Sequence, residues 1–196
     1  MSDKFAVRPP QSPAEMRGVH RVNARCWVEA YDHILPDDVL PDPEDEPDEA
    51  WLREQFDYAT ILNQTESGRY VVAVDESASR ASGDDGSDDD AARVVGFAAT
   101  RWGNEAKDFV GDDEAGLWTI YVDPSRWGKG IGSRLLETVT AAIPARFDRL
   151  VLETFAENEV GQRFYQSKGF EVVEEFETEV GDESYPAVLM ARSLRD

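Results

Sequence analysis

The chain has 196 residues, enough for one α/β domain with a sizeable core. Its 41 acidic side chains oppose 20 basic ones, a formal charge of −21, and Lys4, Lys107, Lys129 and Lys168 are the only lysines. Such a surface repels nucleic acid and anionic membranes. It suits a halophilic protein from a salt-accumulating cell, where the Debye length falls to about 3 Å near 1 M and a polyanionic ligand is repelled less.

Phe5 to Arg8 reads as a short strand that stops at Pro9-Pro10. Ser12-Pro13-Ala14-Glu15 is a helix start: a capping serine, proline in the first turn, and glutamate three residues after the cap. That helix is expected to run to about Asp32 with Val19, Val22, Cys26 and Ala30 on one face. Cys26 is therefore read as a buried thiol, and as the lone cysteine it excludes an intrachain disulfide. Pro36 to Glu49 is an acidic, proline-broken loop, and 49–64 fits a second helix carrying Trp51, Leu52, Phe56, Ala59 and Ile61. Arg69 to Val74 is a strand by its β-formers. Residues 76–92 are almost all Ser, Asp, Gly and Ala, and are expected to form a mobile hairpin loop.

Strands follow at 93–102 and 117–123, separated by a polar stretch over 103–116. A helix over 129–143 ends before Pro144. A strand at 149–154, a helix at 158–168 stopped by Gly169, and strands at 171–180 and 185–192 complete a single domain over 1–196. There is no repeat, no spacing of Cys and His that suits a metal, no signal pattern, and no apolar run long enough to span a bilayer. A cytoplasmic protein without metal, membrane or nucleic-acid partner is expected, as a monomer or homodimer.

The most informative stretch is 117–136, LWTIYVDPSRWGKGIGSRLL. An apolar strand is followed by Pro124, glycines at 128, 130 and 132, and a helical apolar pattern. Strand, glycine turn and helix start together suit a phosphate: glycines admit close approach, and first-turn amides and the helix dipole favour negative charge. The spacing G-x-G-x-G fits neither the nicotinamide fingerprint nor the nucleotide-triphosphate loop.

Downstream, 150–170 reads LVLETFAENEVGQRFYQSKGF. The two segments in this order resemble the GNAT family of acetyl-coenzyme A-dependent N-acetyltransferases. The family's phosphate loop, Q/R-x-x-G-x-G/A, follows a strand and a proline. Its second motif, N-x-x-A/G-x-x-F-Y-x-x-x-G-F, is matched in full by Asn158, Gly161, Phe164, Tyr165, Gly169 and Phe170. The family's Gln or Arg at the loop entrance falls on Trp127, with Arg126 just before it. Trp127 is open to two readings, a cofactor contact or packing at the loop edge.

The resemblance implies a mixed, mostly antiparallel central sheet flanked by helices, whose parallel fourth and fifth strands splay apart to admit the pantetheine arm of acetyl-CoA. It implies cofactor contacts from Arg126, Trp127, Gly128, Lys129, Gly130, Ile131, Gly132 and Ser133. The edge Ile120-Tyr121-Val122 would pair with pantetheine amides and supply an oxyanion donor, and Asn158 would bond the arm. Tyr165 falls where the family's phenol protonates the leaving sulfur; an ordinary phenol pKa near 10 makes it an available acid.

Transfer to an amine also needs the ammonium to lose a proton. Glu153 matches the base of some N-terminal acetyltransferases. The fourth-strand carboxylate used by many members is replaced by Gly116, and Glu114, two residues away on the same strand face, is an alternative on the acceptor side. Trp27, Glu29, Tyr31, Asp32 and His33 resemble the acceptor-side segment of a family subgroup. Trp27 and Tyr31, four apart, equally fit core positions. The expected reaction is direct attack by a primary amine of a small molecule or a protein N-terminus on acetyl-CoA in a ternary complex. A non-catalytic acyl-CoA-binding sensor and an acidic interaction protein are the alternatives.

Overall fold

The computed structural model describes residues 5–77 and 93–195. Most of the loop expected over 76–92 lies outside them. The elements, in chain order, are β1 (Phe5–Arg8), α1 (Pro13–Tyr31), α2 (Glu49–Gln64), β2 (Gly68–Asp75), β3 (Val94–Trp102), β4 (Glu114–Val122), α3 (Ile131–Thr140), β5 (Arg149–Phe155), α4 (Glu159–Ser167), β6 (Glu171–Val180) and β7 (Glu183–Ser193).

The strands form one mixed sheet of order β1-β2-β3-β4-β5-β7-β6. All neighbours are antiparallel except β4 and β5. That pair is parallel and needs a crossover, which α3 supplies. β2 and β3 are near-continuous apolar runs because both of their faces are covered. On one face, α3 packs Leu135, Leu136 and Val139 against Val71, Ala98, Leu117, Leu150 and Leu152. On the other, α1 and α2 pack Met16, Val19, Val22, Cys26 and Leu52 against Val72, Val74 and Phe97.

Ser12 does not cap α1 with its side chain. Glu15 instead accepts from the Gln11 amide at 2.8 Å and from the Arg8 guanidinium at 2.6 Å. Glu15 is 2% exposed, and a charge so buried requires a cationic partner. The contact ties β1 to α1.

Two features open the sheet. β4 pairs with β5 only over Glu114↔Arg149, Ala115↔Leu150 and Gly116↔Val151. Just beyond, Thr100 faces Leu117 and Ala99 faces Thr119, so Trp118 is the extra residue of a β-bulge. Bulges bend the strand that carries them, and from here β4 no longer pairs with β5. β4 also starts earlier than its apolar run suggests. Glu114 to Gly116 are held in the strand by Arg149 and by pairing with Arg101 and Trp102, contacts remote in sequence. α3 is shorter than expected because Gly128 and Gly130 take φ of 77° and 81°, which a helix excludes.

Candidate active site

The segment after β4 is folded by its own polar side chains. Asp123 accepts from the Ser125 amide at 3.0 Å and hydroxyl at 2.6 Å, and from Arg25 at 3.1 Å. Burial pushes the Asp123 carboxyl up, but the Ser125 and Arg25 contacts outweigh it and hold the group below its ordinary range. After the single turn Pro124–Arg126, Gly128 and Gly130 reverse the chain, and Gly130 caps α3. The first-turn amides of Ile131, Gly132 and Ser133 have no intrahelical acceptor. At Gly132 a Cβ would stand 3.3 Å from the Phe164 ring, so glycine lets the start of α3 lie close against α4.

Every residue expected to touch the cofactor, apart from Lys129, lines one cavity of about 470 Å³. The roles within it are more varied than the spacing suggests. Arg126 is ion-paired with Asp75 of β2 at 2.7 Å, which anchors the loop to the sheet. Trp127 leaves its ring 39% exposed and donates its indole N–H to the Val122 carbonyl at 2.7 Å. The Cys26 thiol reaches the same carbonyl at 3.0 Å, is 3% exposed, and is pushed up to about 12, chiefly by burial. Asn158 caps α4 by accepting from the Gly161 amide at 2.9 Å, and its amide group donates to Thr154 at 2.9 Å.

A second cavity of about 450 Å³ lies on the α1 side, lined by Trp27, Lys107, Trp118, Glu153 and Glu179 among others. Tyr31 and Tyr121 line both cavities and stand at their junction. Trp27 donates its indole N–H to the Tyr121 hydroxyl at 3.1 Å, and its ring meets Tyr31 edge-on at 5.3 Å. Tyr31 in turn packs on Phe155 of β5. Tyr165, packed between Phe164 and Phe170, borders the first cavity. Burial pushes the Tyr121 and Tyr165 phenols above their ordinary value, and the nearby Tyr31 adds to both shifts.

Glu153 rises from β5 into the second cavity, ion-paired with Lys107. The Lys107 ammonium also sits 4.9 Å from the Trp118 ring centroid. Glu114 is placed elsewhere. It accepts from the Gly111 amide at 3.0 Å and pairs with Arg149 at 3.0 Å where β4 and β5 are still joined, and it lines neither cavity. Asp32 and His33 face each other at the exposed end of α1. Lys107, Arg101 and Trp118 were not legible as site residues. They reach the cavity through a loop, a neighbouring strand and a bulge, none of which leaves a local spacing. Among the described residues, no group of His, Cys, Asp and Glu is arranged to hold a metal ion, and no helix is long and apolar enough to cross a membrane.

A sheet opened between parallel strands, with a glycine-capped helix start on one side and a charged cavity on the other, is the architecture of one acyltransferase class. The sequence profile of the acetyltransferase (GNAT) family matches residues 27–170, and the chain belongs to that family. No curated protein sequence matches it. Solved structures similar to it include PaiA N-acetyltransferase from Thermoplasma acidophilum in complex with coenzyme A, at 18% identity and TM-score 0.62 over 97% of this chain and 99% of that one. YncA from Salmonella typhimurium with its cofactor acetyl-CoA has 16% identity and TM-score 0.62, over 98% and 95% of the two chains. The ribosomal-protein-S18-alanine N-acetyltransferase from Escherichia coli has 20% identity and TM-score 0.56, over 97% and 94%. At these identities the likeness is one of fold.

Proposed function

We propose that this protein transfers the acetyl group of acetyl-CoA to a primary amine of a small molecule or a protein N-terminus by direct attack in a ternary complex. The observation that carries the reading is the junction of the two cavities at Tyr31 and Tyr121, where β4 has left β5. Two reactants entering from opposite sides would meet there, and holding them together supplies much of the rate.

The main chain fits the cofactor. Free first-turn amides, positive-φ glycines and the α3 dipole suit a diphosphate. The unpaired edge of β4 at Ile120 to Val122 offers amide partners of the kind an added strand would use. Acetyl-CoA supplies an acyl group activated as a thioester. The protein supplies proton handling. Glu153 takes a proton from the substrate ammonium, directly or through water, once that ammonium displaces Lys107 from the carboxylate. Tyr165 delivers its phenolic proton to the departing sulfur, and its raised pKa keeps that proton in place at working pH. The charge of −21 supports work in a salt-rich cytoplasm.

Lys107 on Glu153 also favours a second reading, a sensor that binds acyl-CoA without turnover. A thermal-shift titration with acetyl-CoA, followed by a free-thiol release assay against an amine panel in high salt, tests both. Stabilisation with amine-dependent thiol release supports the enzyme. Stabilisation without release supports the sensor, and no stabilisation contradicts both.

A further inference from the structure

Arg101 of β3 is the one arginine lining the acceptor-side cavity among the described residues. Its guanidinium carbon lies 3.5 Å from the Trp118 ring centroid and 5.0 Å from that of Tyr58. It forms no ion pair with any described carboxylate, and its Nε is buried without an acceptor. Burial among these rings pulls its pKa down, while the Tyr58 phenol and Glu105 pull the other way. The group nevertheless stays charged at any working pH.

Arg192 also lies on a ring without a carboxylate, but it donates to the Lys168 carbonyl and the Thr140 hydroxyl and lines neither cavity. Acids outnumber bases 41 to 20, and the arginines at other structural joints take carboxylates: Arg8 with Glu15, Arg25 with Asp123, Arg126 with Asp75, Arg149 with Glu114. A solvated arginine on the surface needs no partner. Arg101 is held against two aromatic rings at a cavity wall with no described carboxylate paired to it.

The sheet gives the cavity a polarity. Arg101 is in register with Gly116, and Gly116 with Val151. Partners in register share a face, as do residues two apart on a strand, so Arg101, Val151 and Glu153 rise from one face. Cationic Arg101 is on β3. The carboxylates Glu153 and Glu179 are on β5 and β6, across the opening, with Lys107 between them on Glu153 and Trp118. The bulge at Trp118 that ends the pairing of β4 with β5 also sets the ring on which Arg101 lies.

We propose that the acceptor is a zwitterion, a primary amine that also carries a carboxylate, with the carboxylate bound by Arg101 and the amine directed to Glu153. The proposal rests on the reading that this cavity takes the acceptor, and it names the substrate class. A guanidinium pre-oriented on an aromatic face meets a planar carboxylate in a two-point contact that a neutral amide cannot reproduce. Arg101 then sets specificity and takes no part in proton transfer.

The test compares the common amino acids, their amides and their decarboxylated amines as acceptors at fixed ionic strength, by thiol release from acetyl-CoA. The expected result is a kcat/KM for the preferred acid roughly 10- to 100-fold above its amide, the scale of a charge-assisted contact. That ratio falls toward one in Arg101→Gln and recovers in part in Arg101→Lys. Amides used as well as acids by the unsubstituted protein would overturn the proposal while leaving acetyl transfer intact. If no amine turns over, the transfer reading fails by itself, and calorimetric titration of the same acids and amides into the coenzyme A-saturated protein decides the anion site. Acid binding lost in Arg101→Gln upholds it; equal binding of acid and amide, or none of either, overturns it.

Discussion

The two sides of the opening are built from different material. On the side proposed for the cofactor the candidate groups are main-chain amides, placed by glycines and a helix start within one short stretch of chain. On the acceptor side they are side chains from α1, β3, β4, β5, β6 and the loop after β3. A main-chain anion site needs no positive side chain, since the amides and the helix dipole provide the field. On the proposed reading, a chain of net charge −21 holds a polyanion with main-chain groups while Arg126 pairs with Asp75. In the second cavity, by contrast, the cationic side chains Arg101 and Lys107 flank Trp118.

The sharpest way to break this division is Gly130→Asp. It forces a side chain into φ 81° and puts a carboxylate at the helix start. Acetyl-CoA affinity should fall by more than about 100-fold by calorimetry, near the combined cost of strain and like charge. Unchanged affinity would remove the phosphate from this loop. Next, Glu153→Gln should lower kcat roughly 10²- to 10⁴-fold, the range for a lost general base. Its acetyl-CoA affinity should match that of the parent, because Glu153 lies in the other cavity. A joint loss of both would mean the two sides are not separable.

Tyr165→Phe should reduce kcat by roughly 10- to 100-fold, near the lower end for a lost general acid, again with little change in cofactor affinity. The Tyr165 phenol is pushed above its ordinary value, so activity in the parent should not decline through loss of this proton below pH 10. A pH–rate profile with a Tyr165-dependent fall near neutrality would contradict the assignment.

The smallest effect concerns Cys26, in the lining of the first cavity. Its folded pKa of about 12 exceeds its unfolded value of 9.0. Between these values the unfolded state loses the proton and the native state keeps it. Stability is thus fully present below pH 9 and drains away as pH rises toward 12. Circular dichroism melts should show Tm falling above pH 9, less steeply in Cys26→Ala. Iodoacetamide should modify the native thiol slowly at pH 8.

What was readable in the sequence follows the same division. The glycines at 128, 130 and 132 and the run from Asn158 to Phe170 are local patterns, and they fall together around one cavity. The mixed, mostly antiparallel sheet and the parallel β4–β5 pair were expected from the family resemblance and are present. Local pattern did not reveal the bulge at Trp118, since an apolar strand run looks the same with or without an extra residue. It did not reveal that Glu114 belongs to Arg149, because that pairing depends on register between distant strands. Nor did it reveal Arg101 and Lys107, which lie in a strand end and a polar loop with no motif. Main-chain sites leave a spacing in the sequence, whereas sites assembled from side chains across a sheet appear only once the strands are in register.

The most direct test is a crystal structure of the protein with acetyl-CoA. The diphosphate should lie on the amides of residues 128–133, the pantetheine along Ile120 to Val122, and the thioester at the junction beside Tyr165 and Tyr121. A cofactor bound outside that opening, or a thioester that does not reach the cavity holding Glu153, would contradict this placement.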